Sequence, residues 1–367
     1  MQQWFGHLSE KSGRREGSRL PGRGHWVAFV AALAGVAGTL PASTAAADDS
    51  RCEDVSFSVA IPGPLPGPYR IVGELCRPAQ MKRGPLQLLV HGATYNHLYW
   101  DFPFDPDHYS YVRHANQAGF ATLAIDRLGA GASDHPPGAL VTVHASADTV
   151  HQIVASLRSG STLDSAGNPI QFDEIVLVGH SFGSNISWTE AGTYGDVDGL
   201  ILSGISHLTN PPGAAATQAD SYPAQLDPLF ANAGLPDGYF TTLPGTRGSL
   251  FFHLPDADPR VIAEDEATKD VVSLGLFIDQ FTTYGLTRNI HVPVLNVDGD
   301  FDTLSCNLPS CTASGSLDDE GSYYPPDAQY ELVIVPGAGH SINLHRDAPF
   351  WFGAARDWLF EHFGPER

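Results

Sequence analysis

A serine hydroxyl is a poor nucleophile until it is exposed beside a base. Gly179-His180-Ser181-Phe182-Gly183 is a segment that exposes one, because the apolar run 174–178 stands directly before it and a helix-period run directly after. A sharp strand–turn–helix bend lifts the serine above a sheet, and the flanking glycines permit close backbone approach. The bland reading is a solvated serine in a Gly-rich turn, and the strand-before, helix-after context argues against it. Acyl transfer also needs a base within reach of the serine and an acid that orients that base. His340 follows the β-rich run 330–335 through Pro336-Gly337-Ala338-Gly339. Among 16 histidines, that turn and its place after the serine and the aspartates single it out. The turn after the apolar run 292–297 offers Asp298, Asp300 and Asp302 as the acid. Aspartates also build turns, so the residues by themselves leave these three open.

The elements that must position these groups alternate along the chain. β-rich apolar runs fall at 55–61, 69–76, 86–90, 121–125, 174–178, 199–202, 292–297 and 330–335. Helix-period segments at 109–118, 146–157, 183–191 and 350–363 lie between most of them. Two leading strands followed by strand–helix alternation predict an α/β fold: an antiparallel start on a mostly parallel eight-stranded sheet, with helices on both faces. From 207 to 289 the alternation stops, leaving Pro/Gly-rich loops and amphipathic pieces at 261–272 and 274–284. A structureless loop that long is improbable in a compact domain, so a mainly helical lid is expected there. The core is then 48–206 with 290–367.

These features together resemble the α/β-hydrolase family over most of residues 52–363. Besides the serine bend, the resemblance rests on His91-Gly92 after one strand and on Asp126-Arg127-Leu128-Gly129-Ala130-Gly131-Ala132-Ser133-Asp134 after the next. It rests as well on Asp298-Gly299-Asp300-Phe301-Asp302 and on the turn ending in His340. The resemblance implies hydrolysis of carboxylic esters or lactones through an acyl-enzyme, and its usual spacing selects Asp302 as the acid. It implies an oxyanion hole made by the N–H groups of Phe182 and Ala93, with Thr94 as the fallback. His91 is expected to brace its loop, and Arg127 and Asp134 to be architectural. A serine at position 181 argues against the epoxide-hydrolase and dehalogenase branches, which use a carboxylate nucleophile. The rival reading keeps the triad and assigns it non-hydrolytic chemistry: acyl transfer, lactonisation or elimination.

Lid aromatics Tyr239, Phe240, Phe251, Phe252, Phe277, Phe281 and Tyr284 must mostly form the lid's own core, with a few facing the serine. The pocket candidates are His97, Tyr99, Trp100, Phe240 and Phe252. Arg247, alone among uncharged residues, is expected to pin the lid. No metal or organic cofactor is implied, since no tetrahedral Cys/His spacing is present.

The first 47 residues read as a secretory signal peptide. A basic stretch (Lys11, Arg14, Arg15, Arg19, Arg23) leads into the apolar run 26–40 and then into Ala45-Ala46-Ala47. The run is shorter than the ~20 residues of a spanning helix, so no stable membrane insertion is expected after cleavage. Arg14-Arg15 lacks the hydrophobic residues that follow a twin-arginine signal, which favours the general export route. The formal net charge of −21 becomes more negative once this basic leader is removed. Such a surface repels nucleic acid and anionic lipid and suits a catalyst of small neutral or apolar esters. Four cysteines allow three pairings; nearness in sequence favours Cys52–Cys76 and Cys306–Cys311, and export favours their oxidation.

Overall fold

Successive buried side chains point to opposite faces of a strand, so a strand buried on both faces reads as a continuous apolar run. In the computed structural model, which describes residues 50–364 apart from 79, 82, 83 and 209, five strands are of this kind. They are β3 (Leu86–Val90), β4 (Thr122–Asp126), β5 (Ile175–His180), β6 (Gly199–Ser203) and β10 (Val294–Gly299), every residue of them buried. β1 (Arg51–Val59) instead alternates exposed and buried residues toward its end, and edge strand β11 (Glu331–Val335) is largely open. With β2 (Tyr69–Arg77) they form one eight-stranded sheet in the order β1-β2-β4-β3-β5-β6-β10-β11. β1, β2 and β4 pair antiparallel and the remaining pairs are parallel.

The alternation sorts each central strand between two cores. Leu88, Leu123, Leu177 and Leu200 join Val150, Ile153, Ile186 and Trp188, from the helices Val143–Ser159 and Phe182–Tyr194. Their neighbours Leu89, Ala124, Val176 and Ile201 face the other way, onto Tyr111, Val112, Trp351 and Trp358 from the helices Tyr111–Ala118 and Ala348–Phe363. Local chemistry sets the helix ends. Ser110 and Thr142 cap by accepting from the Arg113 and Ala145 N–H groups, and Gly119 and Gly160 close in the left-handed conformation. From β3 the chain runs to β4 on one side and β5 on the other, so the carboxyl ends of β3 and β5 flank the switch point where such sheets bind ligands.

Segment 207–289 has more helix than strand, and it also holds a small sheet that the sequence does not announce. Helices Pro211–Ala219, Arg247–Phe251, Pro259–Ala267 and Leu274–Asp279 are joined by a small antiparallel sheet. Its strands are β7 (Ser221–Pro223), β8 (Tyr239–Thr242) and β9 (Val272–Ser273), in the order β7-β8-β9. Strands of two to four residues are too short to carry a legible period of two. The described residues belong to one compact unit, this segment included.

Both cysteine pairings are present as disulfides. Cys52–Cys76 joins directly opposed residues of β1 and β2, and Cys306–Cys311 closes a short loop beyond β10. Among the described residues no helix is long and apolar enough to cross a membrane. The expected signal peptide lies outside them.

Candidate active site

Ser181 sits between β5 and the helix Phe182–Tyr194 with φ 54° and ψ −120°, a conformation that costs a non-glycine residue energy. Close packing holds it there. A Cβ on Gly183 would stand 1.9 Å from the Val90 carbonyl oxygen, and one on Gly179 would stand 2.5 Å from the Ser184 backbone. Either substitution would push the bend off the sheet. The Ser181 N–H donates to the Ser203 carbonyl at 2.8 Å, tying the bend to the end of β6.

His340 arrives from β11 through its glycine turn, as the sequence predicts. Its Nδ1 lies 2.8 Å from Asp302 Oδ2, and both residues are buried. Asp302 Oδ1 accepts from the Leu304 and Ser305 N–H groups at 2.8 and 3.2 Å. Burial opposes ionisation of Asp302, but His340 and the two amides outweigh it and hold the carboxyl below its ordinary value. The other two aspartates behave differently. Asp298 is buried with neither carboxylate oxygen partnered, and burial, then Asp302 and Glu320, push its carboxyl well above the usual range. Asp300 Oδ1 accepts from the Thr312 N–H at 3.1 Å and from the Thr312 hydroxyl, which makes it a turn residue.

The loop after β3 runs beside the serine: a Cβ on Gly92 would lie 3.0 Å from Ser181 Cβ. Two buried arginines clamp this loop. Arg127 donates to the His91 and Gly92 carbonyls at 2.8 and 2.9 Å. His91 Nδ1 reaches the Gly92 carbonyl at 2.9 Å while Nε2 accepts from the Arg127 N–H at 3.1 Å. Burial and Arg127 keep that imidazole neutral. Farther along, Arg247 forks onto Asp265 at 2.6 and 3.0 Å and also donates to Thr94 Oγ1 at 2.9 Å. Its guanidinium lies over the Tyr95 and Phe251 rings. Thr94 itself has φ 59°, so Ala93 is held between a pinned carbonyl and a pinned left-handed residue. Phe182 opens its helix, where backbone donors lack intrahelical partners. Asp134 Oδ2 accepts from the Arg70 N–H at 2.7 Å, an architectural contact.

Ser181, Phe182 and His340 line a cavity of about 730 Å³. Of the pocket candidates, Phe240 lines it, joined by the aromatics Phe277, Phe281 and Tyr284 of segment 207–289. His97 is turned onto Asp126 at 2.8 Å, Tyr99 stacks on His180, Trp100 is fully buried, and Phe252 packs against His345. Nearness to the His91 loop suggested His97, Tyr99 and Trp100, and aromatic richness suggested Phe252, but Tyr99, Trp100 and Phe252 are buried in the core and the half-buried His97 is held by Asp126. Sequence reasoning missed Ile205, Leu208, Ala214 and Gln218, which follow β6 or lie on the helix Pro211–Ala219. The Pro-Pro start and alanine run of that helix were the available signal.

Residues 87–351 match the alpha/beta hydrolase family, and the chain belongs to it. It is similar to 2-(acetamidomethylene)succinate hydrolase of Mesorhizobium japonicum, 26% identical over 271 residues, covering 71% of this chain and 83% of that protein. A shorter stretch of 146 residues is 31% identical to epoxide hydrolase 3 of Xenopus tropicalis, 40% of this chain and 33% of that one. A thermophilic esterase from Thermogutta terrifontis shares the fold, with a TM-score of 0.57 at 20% identity over 85% of this chain and 99% of the esterase.

Proposed function

We propose that the chain is an exported serine hydrolase that cleaves neutral carboxylic esters through an acyl-enzyme. The observation that carries this reading is the cavity lining: around Ser181 and His340, among the described residues, it contains no Asp, Glu, Lys or Arg. A dicarboxylate such as the one named for the Mesorhizobium relative would meet no cation there, whereas an uncharged ester meets Ile205, Leu208, Phe240, Phe277 and Phe281. In the proposed reaction Ser181 Oγ attacks the ester carbonyl as His340 takes its proton. Asp302, bonded to Nδ1, orients the imidazole and leaves Nε2 to take that proton, and it stabilises the imidazolium. The Phe182 and Ala93 N–H groups receive the developing oxyanion. His340 returns the proton to the leaving alcohol, and water then repeats the sequence to release the acid. The two disulfides are compatible with an oxidising compartment and support export.

The test is hydrolysis of a chain-length series of neutral esters beside matched esters bearing a carboxylate. Neutral substrates should be turned over with much higher kcat/KM than their anionic counterparts. Ser181→Ala should lower kcat by several orders of magnitude with an unchanged melting curve, and abolish labelling by a serine-reactive phosphonate. Near-native turnover by folded Ser181→Ala would overturn the mechanism, and a preference for the anionic esters would overturn the substrate class.

A further inference from the structure

The helix that Ser181 opens carries an unsatisfied carboxylate near its other end. Glu190 is fully buried, and neither of its side-chain oxygens has a hydrogen-bond partner. Oε1 lies 3.9 Å from His151 Nδ1, which lies 2.8 Å from Asp196 Oδ2. Asp196 Oδ1 is likewise buried and unpartnered. One ligand atom from each of the three residues falls within 4.8 Å of the others. They come from different pieces of chain: His151 from the helix Val143–Ser159, Glu190 from the last turn of Phe182–Tyr194, and Asp196 just past that helix's Gly195 cap. The imidazole is held in place by stacking on Tyr194, centroids 3.8 Å apart and planes at 8°.

Two carboxylates facing one another, one of them fully buried, need either a proton or a cation between them. The nearby guanidinium is committed elsewhere, since Arg158 donates to Asp198 Oδ2 at 2.6 Å and to the Asp173 and Asp196 carbonyls. The C-terminal end of this helix adds negative potential. Asp196 and His151 are each about one-third exposed at their side chains (30% and 33%), leaving a path for an ion. We propose that His151, Glu190 and Asp196 form a divalent-cation site, and that zinc is its ion. One imidazole nitrogen and two carboxylates, with water as the fourth ligand, are a zinc donor set; calcium and magnesium favour all-oxygen shells of higher number. The ion would clamp the helix behind Ser181 to its neighbour. This departs from the sequence expectation of no metal. Two of the ligands lie on different helices and the third just past one of them, at no diagnostic spacing, so the sequence carries no signature of them.

The experiment uses the mature chain without a polyhistidine tag, stripped with chelator and titrated with zinc chloride by calorimetry, with melting curves alongside. One zinc per chain and a raised melting temperature are expected. His151→Ala and Asp196→Asn should fold, lose the binding heat and lose the zinc-dependent shift. Glu190→Gln, which keeps the size of the side chain and removes the anionic ligand, should fold and also be blind to zinc. No saturable zinc binding, equal binding by His151→Ala, or calcium or magnesium taken in preference to zinc would each overturn the assignment.

Discussion

At the scale of single residues, three aspartates within five positions have three different environments, and each environment predicts a different outcome. Asp302 alone touches His340, so Asp302→Asn should lower kcat by about four orders of magnitude, as loss of imidazole orientation does in serine proteases. Asp300→Asn should cost far less, because its contacts are to Thr312 in a turn. Asp298→Asn should keep activity and change the dependence of stability on pH. The folded protein holds the Asp298 proton well above the ordinary carboxylate range, whereas the unfolded chain releases it near the ordinary value. Raising the pH through that window therefore stabilises the unfolded state, by about 1 kcal/mol per pH unit for one group. The asparagine variant lacks this penalty, so its advantage over wild type in urea midpoint should widen from pH 5 to pH 7. Parallel midpoints across that range, or a crippled Asp298→Asn beside an active Asp302→Asn, would reverse the assignment of the acid.

At the scale of elements, legibility followed burial. The eight strands of the main sheet announced themselves because most are continuous apolar runs between turn residues, and the serine bend was legible from the strand before it and the helix after it. His340 was legible for the same reason, as the end of a glycine turn following a strand. β7, β8 and β9 were not, being shorter than any period can register. The cavity wall was half legible: aromatic richness marked Phe240, Phe277 and Phe281, but nothing in the spacing distinguished them from Phe251 and Phe252, which face the core. Arg247 was visible only as an isolated charge, and the structure supplies its partners. It joins the 207–289 segment to the loop bearing Ala93 through Thr94, and its bidentate pairing with Asp265 leaves one nitrogen for that task. A lysine keeps the charge but not the fork. Arg247→Lys should fold, with KM little changed and kcat lowered about tenfold or more as the proposed oxyanion donor loosens. Unchanged kcat in a folded variant would reduce Arg247 to a purely structural tie.

At the scale of the whole molecule, the two disulfides act at different ranges. Cys52–Cys76 staples β1, the antiparallel edge of the sheet, to β2 across a sequence separation of 24 residues. In the loop-entropy model a closure of that length stabilises by about 3 kcal/mol. Cys306–Cys311 spans a separation of only 5 residues, and its backbone is bound back onto the acid turn. The Cys306 N–H donates to the Asp302 carbonyl at 3.0 Å and the Cys311 N–H to the Asp300 carbonyl at 2.7 Å. The first bridge should therefore govern the melting temperature, and the second the orientation of Asp302 against His340. Replacing Cys52 and Cys76 with alanine should lower the melting temperature by several degrees while leaving kcat near wild type at 25 °C. Replacing Cys306 and Cys311 should lower kcat at temperatures where the fold survives, with a smaller change in melting. The premise is checked first by thiol titration of the denatured, unreduced protein, which should find no free thiol. Four reactive thiols in protein recovered from its native compartment would remove both bridges and, with them, the main physical support for export.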